Sequence, residues 1–451
     1  MIDRYSLPAM RALWTSRHKY ETWLRVELLA CDAMAAEGLI PRAAVDIIRA
    51  HARIDFDRIE ELERTTQHDV LAFVSAVAET VGPEGRYLHE GMTSSDVLDT
   101  ALAVVLKEAT AILREDLGRL HGVLRDLAHR HRESVMIGRS HGVHGEPITF
   151  GIKMAIWYEE VGRHRRRLDQ AEEEVGVGKL SGSMGTFAHL PPSIEARVCA
   201  DLGLRPDPIS NQIVQRDRHA AYMAALGLIA ASLDKFAVEI RHLQRTEVLE
   251  VEELFAAGQK GSSSMPHKRN PVGSENVSGL ARVVKANVQA AFDNVALWHE
   301  RDISHSSVER IILPDTTVLL DYMLQRFTTL LERLQIYPDR MRKNLDQTGG
   351  LVFSQRVLLE LVQRGMGRDE AYAVVQEIAM RAWKGEGRFV DLLRNDPTVS
   401  SKLDASRRSG SSGCPSASAL RGQSLISKHV TCPRGTRSGP APASSGQLRI
   451  V

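Results

Sequence analysis

Apolar residues along this chain recur at alternating steps of four and three. Leu113, Leu117, Leu120, Leu124 and Leu127 follow that rhythm, as do Leu226, Ile229, Leu233, Phe236, Ile240 and Leu243, and again Leu320, Leu324, Phe327, Leu331 and Leu334. Such spacing places one apolar stripe on each helix, the seam of a helix packed nearly parallel to a neighbour. Two further segments, Pro147 to Glu174 and Ser274 to Trp298, read as helices of similar length, with Pro147 where a first-turn proline is tolerated. Strand-like alternation is scarce. The pattern therefore predicts an all-α protein built on a five-helix bundle, an architecture that by itself specifies no function.

Three polar segments interrupt these helices. In "GMTSSDVLDT" (91–100), Thr93, Ser94, Ser95 and Asp96 precede a helix, where Ser95 or Asp96 can cap the first turn and the free amides can cradle an anion. In "GRSHGVHGEP" (138–147), His141 and His144 stand three apart. That pair is compatible with a metal, with a buried structural histidine, or with a general acid or base, although no cysteine or carboxylate cluster completes a metal site. The third, "GSSSMPHKRNP" (261–271), sets glycine and serines beside Lys268 and Arg269 ahead of a helix starting near Ser274, which suits an anion nest and equally a solvated linker. The basic run "RHRRRL" (163–168) is followed by acidic residues and reads as a solvated helix face.

Composition narrows the classes. With 451 residues and 43% hydrophobic content the chain can bury a large core, and 58 basic against 57 acidic residues leave no global field for nucleic acid or a membrane surface. No apolar run approaches the roughly 18 residues of a membrane span, and "MIDRYSLPAM" has no signal-peptide core. The expectation is a soluble, cytoplasmic protein with no nucleic-acid or membrane partner. Cys31, Cys199, Cys414 and Cys432 are too irregularly spaced for a disulfide framework or a zinc site.

Together the polar segments resemble the fumarase and aspartase superfamily, whose members eliminate fumarate or its analogues. Within it, "MPHKRNP" is similar to the signature of the adenylosuccinate lyase family, and "GMTSSDVLDT", "SHGVHGEPITFG", "QHDVLAF" (67–73) and "WHERDISHSSVERI" (298–311) agree with it. The resemblance runs from about Met1 to about Leu403, with small departures at Ser140 and Glu90.

The resemblance implies an N-terminal helical domain (1–93), a central bundle (94–343) and a smaller C-terminal helical domain (344–404), truncated so that it lacks its last helices. It implies cleavage of adenylosuccinate to AMP and fumarate, and of aminoimidazole succinylocarboxamide ribotide (SAICAR) to its carboxamide (AICAR) and fumarate, without metal or organic cofactor. The implied catalytic set is Ser262 as base, His141 as acid, Lys268 beside the base and Glu275 supporting His141. Implied nucleotide and phosphate contacts are Arg4, Tyr5, Arg301, Ser306 and Arg310. Further implied substrate contacts are Gln67, His68, Asp69, Thr93, Ser94, Gln212, Ser263, Arg269, Asn270 and Asn276, with His89 assisting. The family works as a homotetramer whose sites draw on three subunits. A ring-opening cycloisomerase, another succinyl-group lyase and a non-catalytic scaffold are the rival readings. "SHSSVER" and "DRYS" favour a nucleotide substrate, and the intact Ser262, His141, Lys268 and Glu275 argue against a scaffold.

The last 47 residues, 405–451, leave the pattern. They hold 11 serines, six glycines and four prolines, with six arginines, one lysine and no acid, so the remainder of the chain carries a net charge of −6. This composition predicts a disordered tail, outside the family pattern, that limited proteolysis removes from about Ser406 onward.

Overall fold

The computed structural model describes residues 1–254, 265 and 267–408, with side chains through 402. The segment carrying Ser262 and Ser263, and the tail beyond Arg408, lie outside the described residues. Among the described residues, the long helices that carry the candidate residues and the bundle include α1 (Ser16–Ala36), α2 (Asp69–Val81), α3 (Ser94–Arg130), α4 (Phe150–Val175), α5 (Arg216–Leu243), α6 (Val272–Asp293) and α7 (Ser304–Glu332). Among the described residues, strand is confined to a hairpin, β1 (Val135–Ser140) with β2 (Val143–Thr149), and two pairings of two-residue strands. The fold is all-α in the sense the periodicity predicts. Every residue of the three apolar seams is buried, each contributing roughly 1.5–3 kcal/mol of burial against the ordering cost of its helix.

Two compact units make up the chain, and both are discontinuous in sequence. The first comprises Met1–Val123, Glu159–Arg241 and the described part of Leu254–Arg333; the second comprises Leu124–Tyr158, His242–Glu253 and the described residues from Leu334 on. In the first unit, the N-terminal helices wrap an aromatic cluster in which Tyr20 stacks on Phe73 at 5.6 Å and Trp23 meets Phe73 edge-on at 5.5 Å. Cys31 and Cys199 are buried in the same apolar cluster, and burial pushes both thiols up to about 12. The second unit has its own core, formed around Leu361, Ala371, Ile378 and Phe389.

One sequence expectation fails in the second unit. Pro147 does not open a helix: it lies in β2, opposite Ile137, and α4 begins at Phe150. Thr149 supplies the start signal, its Oγ1 accepting from Ile152 N at 3.1 Å. The alternation in "VMIGRS" and "VHGEPIT" is too short and too broken to announce strands, and the register shifts between Ile137 and Arg139. Gly138 lies in that bulge, where a Cβ would stand 2.7 Å from the Glu146 carbonyl oxygen, so only glycine fits. The helix expected from Ser274 to Trp298 runs instead from Val272 to Asp293.

Inside the first unit, buried Asp116 of α3 faces buried Asp321 of α7. Burial first, and then the neighbouring Asp321 carboxyl, push Asp116 up to about 8, against the opposing hydrogen bond of Gln325. The pair therefore retains a proton near neutral pH that the unfolded chain releases near the ordinary carboxyl pKa of about 4. Stability of the parent should fall as pH rises from about 4 to about 8, since the folded state binds the extra proton throughout that window. Asp116→Asn donates to Asp321 without needing that proton. Urea midpoints at pH 5 and pH 8 should show the variant gaining on the parent as pH rises; a pH-independent difference would refute the shared proton.

Candidate active site

The hairpin of the second unit ends in a two-residue turn, His141 and Gly142, with φ of 56° and 77°. Both central residues at positive φ define a type I′ turn, whose twist matches the flanking strands. His141 therefore stands at the hairpin tip, exposed in the single chain. Two residues before it, Arg139 donates to both carboxylate oxygens of Glu250 at 2.9 and 2.8 Å. Glu250 is fully buried and also accepts from Asn344 at 2.9 Å. This anchored stem gives the tip a fixed base. His144 is half-buried, its Nδ1 sealed from water with no partner among the described residues. Burial and then the Arg139 charge lower its pKa. Among the described residues no cluster of three or more histidine, cysteine or acidic side chains could hold a metal.

Most of the other candidates belong to the first unit. Gln67 closes the helix Phe56–Thr66 in a left-handed conformation, φ 49°. His68 caps α2: its Nδ1 accepts from Leu71 N at 3.3 Å, which leaves Nε2 to donate to Ser94 Oγ at 3.4 Å. His89, also left-handed at φ 62°, is held by Glu27 through ring Nδ1 at 2.7 Å and backbone N at 2.9 Å. Burial disfavours its charged form, but the Glu27 hydrogen bond and charge outweigh burial and raise its pKa. Non-glycine residues in this region of φ/ψ are uncommon and strained. Gln67, His89 and His141 are three of the six such residues described.

The Thr93–Asp96 start of α3 is capped differently from the simplest expectation. Asp96 Oδ2 reaches back to accept from Thr93 N at 2.8 Å, while Oδ1 takes the ammonium of Lys179, itself fully buried. Asp96 thus serves the structure, and Thr93 and Ser94 are the residues it positions.

A cavity of about 340 Å³ in the first unit is lined by Lys19, Arg301, Ser306 and Arg310, with Asp99, Arg216, His305 and Glu309 in its wall. Arg301 Nε donates to His305 Nε2 at 3.2 Å, which places the ring proton on Nδ1, donated to Glu309 Oε2 at 3.0 Å. Glu309 in turn accepts from Arg216, which is bidentate on Asp99 at 2.8 and 2.9 Å. Burial alone would raise the Asp99 carboxyl, but the Arg216 charge and hydrogen bonds bring it down to about 2. Arg310 donates to Asp69 at 2.6 Å, so two expected substrate contacts are paired with each other. The Asp69 pKa is raised by burial and lowered further by Arg310 and Lys19, ending below its ordinary value. The Tyr5 ring tilts against Tyr322 at 5.2 Å, and Arg4 is exposed.

Lys268, Arg269 and Glu275 are exposed, Glu275 in the first turn of α6; Gln212, Asn270 and Asn276 are half-buried. Asn276 Oδ1 is shielded from water with no partner among the described residues. Sequence reasoning missed Asp99, Arg216, His305 and Glu309. Each reads singly as a solvated charge, and only the i, i+4 spacing of His305 and Glu309 hints at a contact.

The family described as lyase matches residues 4–286, and that described as adenylosuccinate lyase C-terminus matches residues 350–408. Adenylosuccinate lyase of Bacillus subtilis (strain 168) is 52% identical over 403 residues, covering 89% of this chain and 94% of that protein. Among solved structures, a fumarate lyase from Mesorhizobium sp. BNC1 matches with a TM-score of 0.82 at 28% identity, over 89% of this chain and 93% of its own. The 3-carboxy-cis,cis-muconate lactonizing enzyme of Pseudomonas putida matches with a TM-score of 0.80 at 33% identity, over 88% and 91%.

Proposed function

Since the chain belongs to the adenylosuccinate lyase family of the fumarase and aspartase superfamily, we propose that it eliminates fumarate from adenylosuccinate, giving AMP, and from SAICAR, giving AICAR. The observation that carries this reading is the 52% identity maintained along 94% of the Bacillus protein. A cycloisomerase reading draws on the lactonizing enzyme, at the lower identity of 33%.

Both proposed substrates join a succinyl group to nitrogen and carry a phosphoribosyl handle. The proton to be removed sits on carbon beside a carboxylate and is very weakly acidic, so its loss needs a strong base and preorganised stabilisation of the dianion that forms. Ser262 takes that proton, its alkoxide favoured by loop amides and Lys268. The electron pair moves to close the fumarate double bond as the carbon–nitrogen bond breaks. His141 delivers a proton to the departing nitrogen, with Glu275 supporting its imidazolium. Arg301, Ser306 and Arg310 hold the phosphate, arginine's planar fork suiting its oxygens. Arg4, Tyr5, Gln67, His68, Asp69, His89, Thr93, Ser94, Gln212, Ser263, Arg269, Asn270 and Asn276 complete the contacts.

The chain works as a homotetramer with each site drawn from three subunits. His141, Lys268 and Glu275 are all exposed in the single chain, whereas stabilising a dianion requires exclusion of bulk water. Leu228, Val283 and Phe292 of the bundle helices are likewise exposed and offer apolar surface for a second copy.

A fumarate-release assay on purified protein with adenylosuccinate and SAICAR, run beside an absorbance assay for lactonization of 3-carboxy-cis,cis-muconate, tests the activity; turnover of the muconate alone would overturn it. Mixing inactive His68 and Ser262 variants should restore activity if the site is shared, and failure after confirmed subunit exchange would overturn the sharing.

A further inference from the structure

Four cations line the cavity of the first unit, and they are engaged differently: Arg216 is held by Asp99 and Glu309. Arg301 donates to His305 and Arg310 donates to Asp69. Lys19, in the first turns of α1, donates no side-chain hydrogen bond to a described residue, and no described carboxylate reaches ion-pair distance of its ammonium. Instead the nitrogen lies 4.3 Å from the centroid of the Tyr20 ring and 5.0 Å from that of Trp23. Aromatic faces attract a cation and strip it of water, yet they accept none of its three N–H donors in the way an oxygen does.

The balance of charge around Lys19 is also incomplete. Burial lowers its pKa most, Asp69 opposes, Arg310 lowers it again and Glu63 opposes, leaving it below the ordinary value. Asp69, the acid that contributes most, is already committed to Arg310 at 2.6 Å. A half-buried ammonium with unspent donors, facing a cavity that Arg301 and Arg310 also line, lacks an anion.

We propose that Lys19 is a further anion-holding residue of this site, its ammonium binding a phosphoryl oxygen of the substrate in the cavity it shares with Arg301, Ser306 and Arg310. The assignment rests on the phosphorylated substrate inferred above and adds a residue which the sequence motifs did not single out. A phosphate dianion has oxygens enough for two planar guanidinium forks and one point-like ammonium, and the three differ in geometry rather than duplicating one another.

The test is a comparison of substrates with and without the phosphate. Parent and Lys19→Met, which keeps an apolar stem against Tyr20 and Trp23, are assayed with adenylosuccinate and with its dephosphorylated nucleoside, succinyladenosine. A lost charge-assisted contact should lower kcat/KM for adenylosuccinate roughly 10- to 100-fold, leave the nucleoside nearly unchanged, and weaken inhibition by inorganic phosphate by a similar factor. Lys19→Arg should retain most of the affinity. Equal losses on both substrates, or no loss on either, would overturn the assignment, because a purely structural lysine cannot sense the phosphate. If Lys19→Met does not fold, Lys19→Gln serves the same comparison. A parent that releases no fumarate would instead overturn the substrate reading. Calorimetric titration with inorganic phosphate then still decides about Lys19: binding by the parent and loss in the variant uphold the anion site, and equal binding refutes it.

Discussion

His141→Gln is expected to lower turnover of adenylosuccinate by roughly 10²- to 10⁴-fold, the range associated with removing a general acid, while shifting stability by no more than about 0.5 kcal/mol. The side chain stands exposed at the tip of a type I′ turn, so little packing is lost. Glutamine keeps hydrogen-bonding capacity but cannot deliver a proton. Because the position is left-handed, the backbone itself needs a control, and His141→Asn provides it, since asparagine tolerates that conformation well. If the imidazole acts as acid, both variants are equally impaired. If the residue matters only for holding the turn, asparagine restores turnover, and the role assigned to His141 falls.

The largest effect on stability is expected at Arg216. Arg216→Met leaves Asp99 and Glu309, both buried, without the guanidinium that spans them. Breaking such a buried pair typically costs about 3–5 kcal/mol, because an uncompensated charge stays behind. In the parent, the depressed Asp99 carboxyl contributes stability that is present above its unfolded pKa and is lost only as pH falls through about 2. In the variant the stranded carboxylates bind protons more readily, so the deficit should shrink as pH is lowered from 7 to 5. Denaturant midpoints at both pH values give the measurement, and a variant within about 0.5 kcal/mol of the parent would remove the network from the stabilising structure. The relay through Glu309 and His305 to Arg301 adds a second consequence: KM for the phosphorylated substrate should rise even where folding is rescued by low temperature.

Much of this was legible along the chain, and the reasons are physical. The seams at Leu113 to Leu127, Leu226 to Leu243 and Leu320 to Leu334 repeat over several turns, and a periodic signal of that length survives any one local exception. All are buried. The hairpin was not legible, because six- and seven-residue strands with an internal bulge give no stable alternation and a His-Gly turn lacks the usual asparagine or aspartate signal. The Asp99, Arg216 and Glu309 network was invisible for another reason. Its members lie more than 90 positions apart along the chain, and a charged residue carries no mark of burial until its partners are placed around it. Polar loops supply the candidate residues; what holds the described ones in place comes from pairs that only tertiary structure brings together.

The two thiols of the N-terminal cluster carry a practical consequence. Cys31 and Cys199 are fully buried and are pushed up to about 12, so an alkylating reagent at neutral pH finds neither access nor thiolate while that cluster is closed. Each labelling event at these positions then records an opening of the cluster. Peptide mapping separates them from Cys414 and Cys432, turning two inert core side chains into a clock for local unfolding that needs no added probe.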